Sequence, residues 1–92
     1  MDFNNNLELL KRAAAGDESA TEELMHINLG LVRSIAQRFR DRGVDYDDLI
    51  QIGSIGMLKA IRSFDMEKGT VFSTYAVPLI IGEIRRFMRD DG

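Results

Sequence analysis

The chain has 92 residues, with 12 Lys and Arg against 15 Asp and Glu, one His, one Pro and no Cys. Apolar residues make up 45% and charged residues 29%, the balance of a globular domain with one modest core and not of a disordered tail. The missing Cys excludes disulfides, thiolate zinc sites and Cys nucleophiles, and a single His excludes a His-pair metal site.

The first helical segment runs from about Leu7 to Ala15 and stops at Gly16, with Asn4, Asn5 or Asn6 available to cap its start. The second opens near Asp17 or Ser19, where Glu22 stands at capping-box spacing from Ser19. From there Leu24, Ile27, Leu31, Ile35 and Phe39 recur every three or four residues, so one apolar stripe and one continuous helix are expected up to Gly43. The third opens at Asp45, Asp47 and Asp48, acids that suit the positive end of a helix dipole. Leu49, Ile52 and Ile55 mark its turns, and Ile61 and Phe64 add apolar bulk.

Gly53 and Gly56 each cost that helix about 1 kcal/mol relative to Ala. Their spacing puts both on one side, so the cost is tolerable if another helix packs closely there. Residues 65–70 then form a turn around Gly69. The last helix carries Ala76, Ile80, Ile84 and Phe87 on one stripe, with Arg85, Arg86 and Arg89 largely off it. Pro78 conflicts with a start capped by Ser73, because it would remove an intrahelical bond; a later start or a kink near Tyr75 is expected. No strand alternation is visible. The expected architecture is all-α, a compact bundle of about four helices in a single domain over residues 1–92, residues 1–15 supplying an N-terminal helix.

Charge is unevenly spread. Residues 32–42 carry four Arg against one Asp, and Arg85, Arg86 and Arg89 cluster later, within a chain of net charge −3. Such patches can hold a few phosphates without strong non-specific DNA binding, and solvated helix faces would look the same. The acids at 45–48 fail the Ca²⁺-loop pattern, since Leu49 stands where a ligand is needed, and read as capping residues. His26 has no companion ligand, and Met25, Met57, Met66 and Met88 read as core or surface filler. There is no phosphate loop, no nucleophile elbow and no nucleophile–base pair, so neither an enzyme nor a cofactor is expected. The longest apolar run, Ala76 to Ile81, is far too short to span a bilayer, and the first residues lack signal-peptide character, so no membrane partner and a cytoplasmic location are expected.

The segment Phe72-Ser73-Thr74-Tyr75-Ala76 lies between the Gly69 turn and an Arg-bearing helix, with Phe64 and Lys68 nearby in the chain. Aromatics stack on unpaired bases, and hydroxyls and cations hold phosphates and base edges. Phe72 and Tyr75 could equally plug the bundle.

Three strings carry a resemblance: DDLIQIGSIGMLKAIRSFD (47–65), FSTYA (72–76) and NLGLVRSIAQRFRDRG (28–43). Together they resemble domain 2 of bacterial RNA polymerase sigma factors. The tail PLIIGEIRRFMRDDG (78–92) resembles the alternative sigma factors of Gram-positive sporulation and general stress response. The resemblance implies a promoter-recognition and strand-opening domain of a longer, multi-domain sigma factor. It implies docking on the clamp helices of the polymerase largest subunit through Asp48, Gln51 and Ser54, with Ile55 and Met57 as neighbours. It implies capture of flipped non-template bases of the minus-ten element. One adenine would stack on Tyr75 in a pocket completed by Phe64, Asp65, Lys68 and Thr74, with Phe72 and Ser73 in the same motif; a second base would sit near Asn28 and Leu31. Arg38, Lys59, Arg85 and Arg86 would border the DNA backbone. An anti-sigma protein is a further implied partner. A helical adaptor that binds polymerase or an anti-sigma protein without reading DNA is the alternative.

Four positions depart from the family pattern. Ile52 replaces an acid, Pro78-Leu79 replaces two adjacent Trp residues, and Gly82 replaces a Gln that reads the last paired base. The duplex-side wedge therefore cannot work in the housekeeping manner, which implies weaker intrinsic melting.

Overall fold

A computed structural model describes residues 3–91, with side chains from 7 to 89. The elements in order are α1 (Phe3–Ala14), α2 (Glu18–Ile27), α3 (Leu29–Gln37), α4 (Tyr46–Ser63), a 3-10 turn (Met66–Lys68) and α5 (Phe72–Asp91). The described residues are helices and their connections, with no strand.

The α1–α2 corner follows from two residues. Gly16 takes φ +99, a left-handed conformation that suits Gly, and closes α1 through Gly16 N–H to Ala13 O (3.0 Å) and Asp17 N–H to Arg12 O (2.9 Å). Asp17, and not Ser19, then caps α2, one carboxylate oxygen accepting from Ala20 N–H at 3.2 Å and the other from Arg12 Nε at 2.9 Å. Asn4, Asn5 and Asn6 do not precede α1, which begins at Phe3, and their side chains lie outside the described residues.

The helix expected from residue 17 to 43 is two helices. It breaks at Asn28 (φ −96, ψ 9), whose buried amide Nδ2 donates to Leu24 O at 2.9 Å. A short amide side chain that bonds the preceding turn competes with helix continuation, and a periodic apolar stripe gives no sign of such a break. α3 ends at Gln37, ahead of the connection that contains Asp41 (φ 64) and Gly43 (φ 88).

α5 starts at Phe72, before Ser73, with Tyr75 N–H bonding Val71 O at 3.2 Å. The later start expected from Pro78 does not occur. Pro78 sits in the second turn of the helix on an exposed face, and the carbonyl it leaves unpaired belongs to exposed Thr74, where water can serve it.

The core is built from Leu24, Val32, Ile35, Leu49, Met57, Ile80 and Ile84, all fully buried. α4 and α5 form its main seam, and the two glycines explain the closeness. A Cβ on Gly56 would stand 2.7 Å from both Ile80 Cα and Leu79 O, and one on Gly53 would stand 2.9 Å from Val32 Cγ1. The helix-propensity cost of Gly53 and Gly56 is therefore offset by the packing of α5 onto bare backbone. That seam aligns the end of α4 with the start of α5, where the candidate residues meet.

Candidate nucleic-acid interface

Phe64, the residue after α4, turns the chain into an extended conformation (φ −67, ψ 131). Asp65 caps the 3-10 turn, accepting from Glu67 N–H at 2.9 Å, and Gly69 (φ 75) closes it. This tight excursion returns the chain so that the first turn of α5 lies against Phe64. The Phe64 ring meets Phe72 edge-on, with centroids 5.3 Å apart, and meets Tyr75 tilted, with centroids 5.5 Å apart. Aromatic pairs at such separations and angles are mutually stabilising.

The three rings have different exposures. Phe72 is 8% exposed and plugs the bundle, while Phe64 and Tyr75 are half-buried. Tyr75 is held at its far end as well, its hydroxyl lying 2.7 Å from Ser63 Oγ and 3.4 Å from Ser63 O. Asp65, Lys68, Ser73 and Thr74 are exposed around them. The result is a fixed aromatic cluster, with exposed Asp65 and Lys68 in the adjoining turn and exposed Ser73 and Thr74 in the first turn of α5.

Asn28 and Leu31 lie elsewhere, at the α2–α3 break. Asn28 is 8% exposed and spends its Nδ2 donor on Leu24 O, so its side chain belongs to the helix junction; Leu31 is half-buried.

Arg38 and Arg85, with Arg42, line an open cleft of about 310 Å³ floored by Phe39, Ile81 and Met88. Arg42 is a residue the sequence reading passed over, and its guanidinium stands 5.5 Å from the Phe39 ring centroid. Lys59 and Arg86 do not stand alone. Glu83, whose side chain is only 14% exposed, accepts from Lys59 Nζ at 2.6 Å and from Arg86 at 2.8 Å. The Arg86 pair is an i,i+3 contact within α5, whereas the Lys59 pair joins α4 to α5 and leaves no local signal.

The Lys59 hydrogen bond, aided by that of Arg86, holds the Glu83 carboxyl below the usual carboxylate range despite the raising effect of burial. A depressed folded-state value means stability that is present above the unfolded-state value and lost as pH falls through the folded-state one. Because both cations are more than half exposed, the effect is small, about 0.5 kcal/mol. Unfolding curves from pH 6 down to pH 3 should show Glu83→Gln less stable than wild type at pH 6 and level with it at the acid end. A constant difference across that range would refute the charge-pair account.

On α4, Asp48, Gln51 and Ile55 are exposed, Ile55 at 45%, and Ser54 is half-buried beside them. They form one face. Met57 does not join it: nine residues on from Asp48 it points to the opposite side of the helix, and it is fully buried in the core. Its place among surface contacts is corrected accordingly. Ile52 is half-buried next to that face.

Comparison with known proteins fits this arrangement. The family described as Sigma-70 region 2 matches residues 24–92. The chain is 53% identical over 85 residues to an RNA polymerase sigma-F factor of Priestia megaterium, covering 92% of this chain and 34% of that protein. It is 57% identical over 76 residues to an RNA polymerase sigma-G factor of Bacillus subtilis, covering 83% and 29%. It is 51% identical over 84 residues to an RNA polymerase sigma-G factor of Clostridium acetobutylicum, covering 91% and 33%. The chain thus spans about a third of the length of the curated relatives it matches. With a helical architecture, an aromatic cluster formed by FSTYA and a family match over three quarters of its length, this chain belongs to the Sigma-70 region 2 family.

Proposed function

We propose that this domain docks on RNA polymerase and recognises and opens promoter DNA as part of a sigma factor. The observation that carries the reading is Tyr75: a half-buried ring, braced by Phe64 and Ser63, in the segment that also holds exposed Asp65, Lys68, Ser73 and Thr74. Opening a duplex costs a few kcal/mol per unstacked base. A surface that stacks on an extruded base of the non-template strand offsets about 1–3 kcal/mol of that cost and shifts the population toward the open form. No bond is made or broken. Tyr75 takes the first flipped base, an adenine by the family pattern, with Phe64, Asp65, Lys68 and Thr74 around it. Leu31 borders a second.

The Arg38–Arg42–Arg85 cleft guides the backbone of the strand. Lys59 and Arg86 exchange part of their Glu83 pairing for phosphate. A net charge of −3 keeps the free domain from binding DNA indiscriminately, so DNA has to be presented by polymerase. The face of Asp48, Gln51, Ser54 and Ile55 is the proposed seat for the clamp helices of the largest subunit, and an anti-sigma protein would act by competing for such a face. In this reading the domain works where polymerase does, in the cytoplasm.

The docking half is tested by pull-down with core polymerase. Asp48→Ala with Gln51→Ala, both exposed, should weaken retention at least tenfold while leaving the thermal transition in place. Undiminished retention would remove α4 as the docking element.

A further inference from the structure

Ser63 has no role in the reading of the 47–65 string that contains it, yet it is the group to which the candidate base-stacking ring is tied. It is the last residue of α4, and its hydroxyl lies 2.8 Å from Lys59 O and 2.7 Å from the Tyr75 hydroxyl. A serine hydroxyl has one proton and two lone pairs. The only direction compatible with both contacts gives that proton to the Lys59 carbonyl, since a carbonyl cannot donate. Ser63 Oγ is then an acceptor toward Tyr75, and the phenol is the donor. The same phenol lies 3.4 Å from Ser63 O, one of the last four carbonyls of α4, which have no partner within the helix.

We propose that Ser63 is the positioning residue for Tyr75: the relay from Tyr75 O–H to Ser63 Oγ–H to the Lys59 carbonyl locks the ring in one orientation before any base arrives. This inference rests on the reading of Tyr75 as a base-stacking ring and adds how that ring is prepared. Along its side the ring meets Phe64 at 5.5 Å between centroids, a contact that permits tilting. The hydroxyl bond fixes the other end. A ring held at both ends pays its ordering cost on folding, so less is paid when a base stacks. Because the acceptor is at the end of α4 and the ring is on the first turn of α5, the bond also ties the two helices together at the mouth of the site.

The test is a double-mutant cycle in polymerase carrying this protein, using two forked duplexes. One has adenine as the first unpaired non-template base; the other has an abasic position there. Ser63→Ala and Tyr75→Phe should each weaken the adenine probe about three- to tenfold. The double variant should be no weaker than either single one, because both remove the same bond. Ser63→Thr, which keeps the hydroxyl, should restore the wild-type value, and affinity for the abasic probe should not change in any of them.

Unchanged affinity for the adenine probe in Ser63→Ala, losses that add in the double variant, or equal losses on both probes would each overturn the proposal. Tyr75→Ala separates the two levels of the argument. If it erases the preference for adenine over the abasic probe while Ser63→Ala does not weaken it, only the role of Ser63 falls. If Tyr75→Ala leaves that preference intact, the base-stacking reading falls and Ser63 with it.

Discussion

Gly56→Ala is expected to destabilise the protein by about 2 kcal/mol. A methyl at this position would lie 2.7 Å from Ile80 Cα and Leu79 O and 3.0 Å from Ile80 N. All three are backbone atoms of α5, so no rotamer change can clear them and the two helices must move apart. The loss of packing along the α4–α5 seam outweighs the roughly 1 kcal/mol that Ala gains over Gly in a helix. In a domain of this size that corresponds to a fall in Tm of around 10 °C.

Neighbouring glycines calibrate the result. At Gly53 the closest atoms, Val32 Cγ1 at 2.9 Å and Ile80 Cγ2 at 3.3 Å, are side-chain methyls, so Gly53→Ala should cost less. At Gly82, inside α5 with no atom within 4 Å of the added methyl, Ala should stabilise by about 0.5–1 kcal/mol. Denaturant midpoints of the three variants check the order; Gly56→Ala as stable as wild type would show that the seam is not held by backbone contact.

Tyr75→Ala is expected to lower the equilibrium yield of open promoter complex about tenfold to a hundredfold. Tyr75 is only half-buried and the core behind it is formed by Phe72, Ala76 and Ile80, so the domain should remain folded. Tyr75→Phe keeps the stacking face and loses only the hydroxyl bond, so its defect should be much smaller. Permanganate footprinting of the melted strand, with unfolding monitored in parallel, separates loss of base capture from loss of fold. Equal melting by wild type and Tyr75→Ala would remove base capture by this ring from the account.

Much of the fold was legible because its signals are local. Gly16 ends α1 where a helix stop was expected, the acids at 45–48 open α4 although the Asp45 side chain makes no capping bond there, and the Gly53–Gly56 spacing announced a close helix approach that the α5 backbone provides. The break at Asn28 was not legible, because the stripe Leu24, Ile27, Leu31, Ile35 keeps helical periodicity across it and only a buried amide bond reveals the interruption. Of the two outcomes expected at Pro78, the later start does not occur: on an exposed face the missing bond is tolerated, and α5 runs from Phe72 through it.

The candidate site divides in the same way. Phe64, Phe72 and Tyr75 were readable as a group, since the Gly69 turn is short enough to bring them together. Ser63, Glu83 and Arg42 were not, because their importance comes from partners on other elements: the phenol of Tyr75, the ammonium of Lys59 and the cleft shared with Arg85. Met57 was placed on the docking face by its neighbourhood in the chain, and the helical rotation sends it into the core.

Site-directed cross-linking addresses base capture most directly. A forked promoter duplex bearing a photoreactive analogue at the first unpaired non-template base would be bound by polymerase carrying this protein, irradiated, and the attached peptide mapped. Attachment within residues 64–75, dependent on polymerase and lost in Tyr75→Ala, is the predicted outcome. A stable complex whose analogue attaches only outside that segment would contradict it.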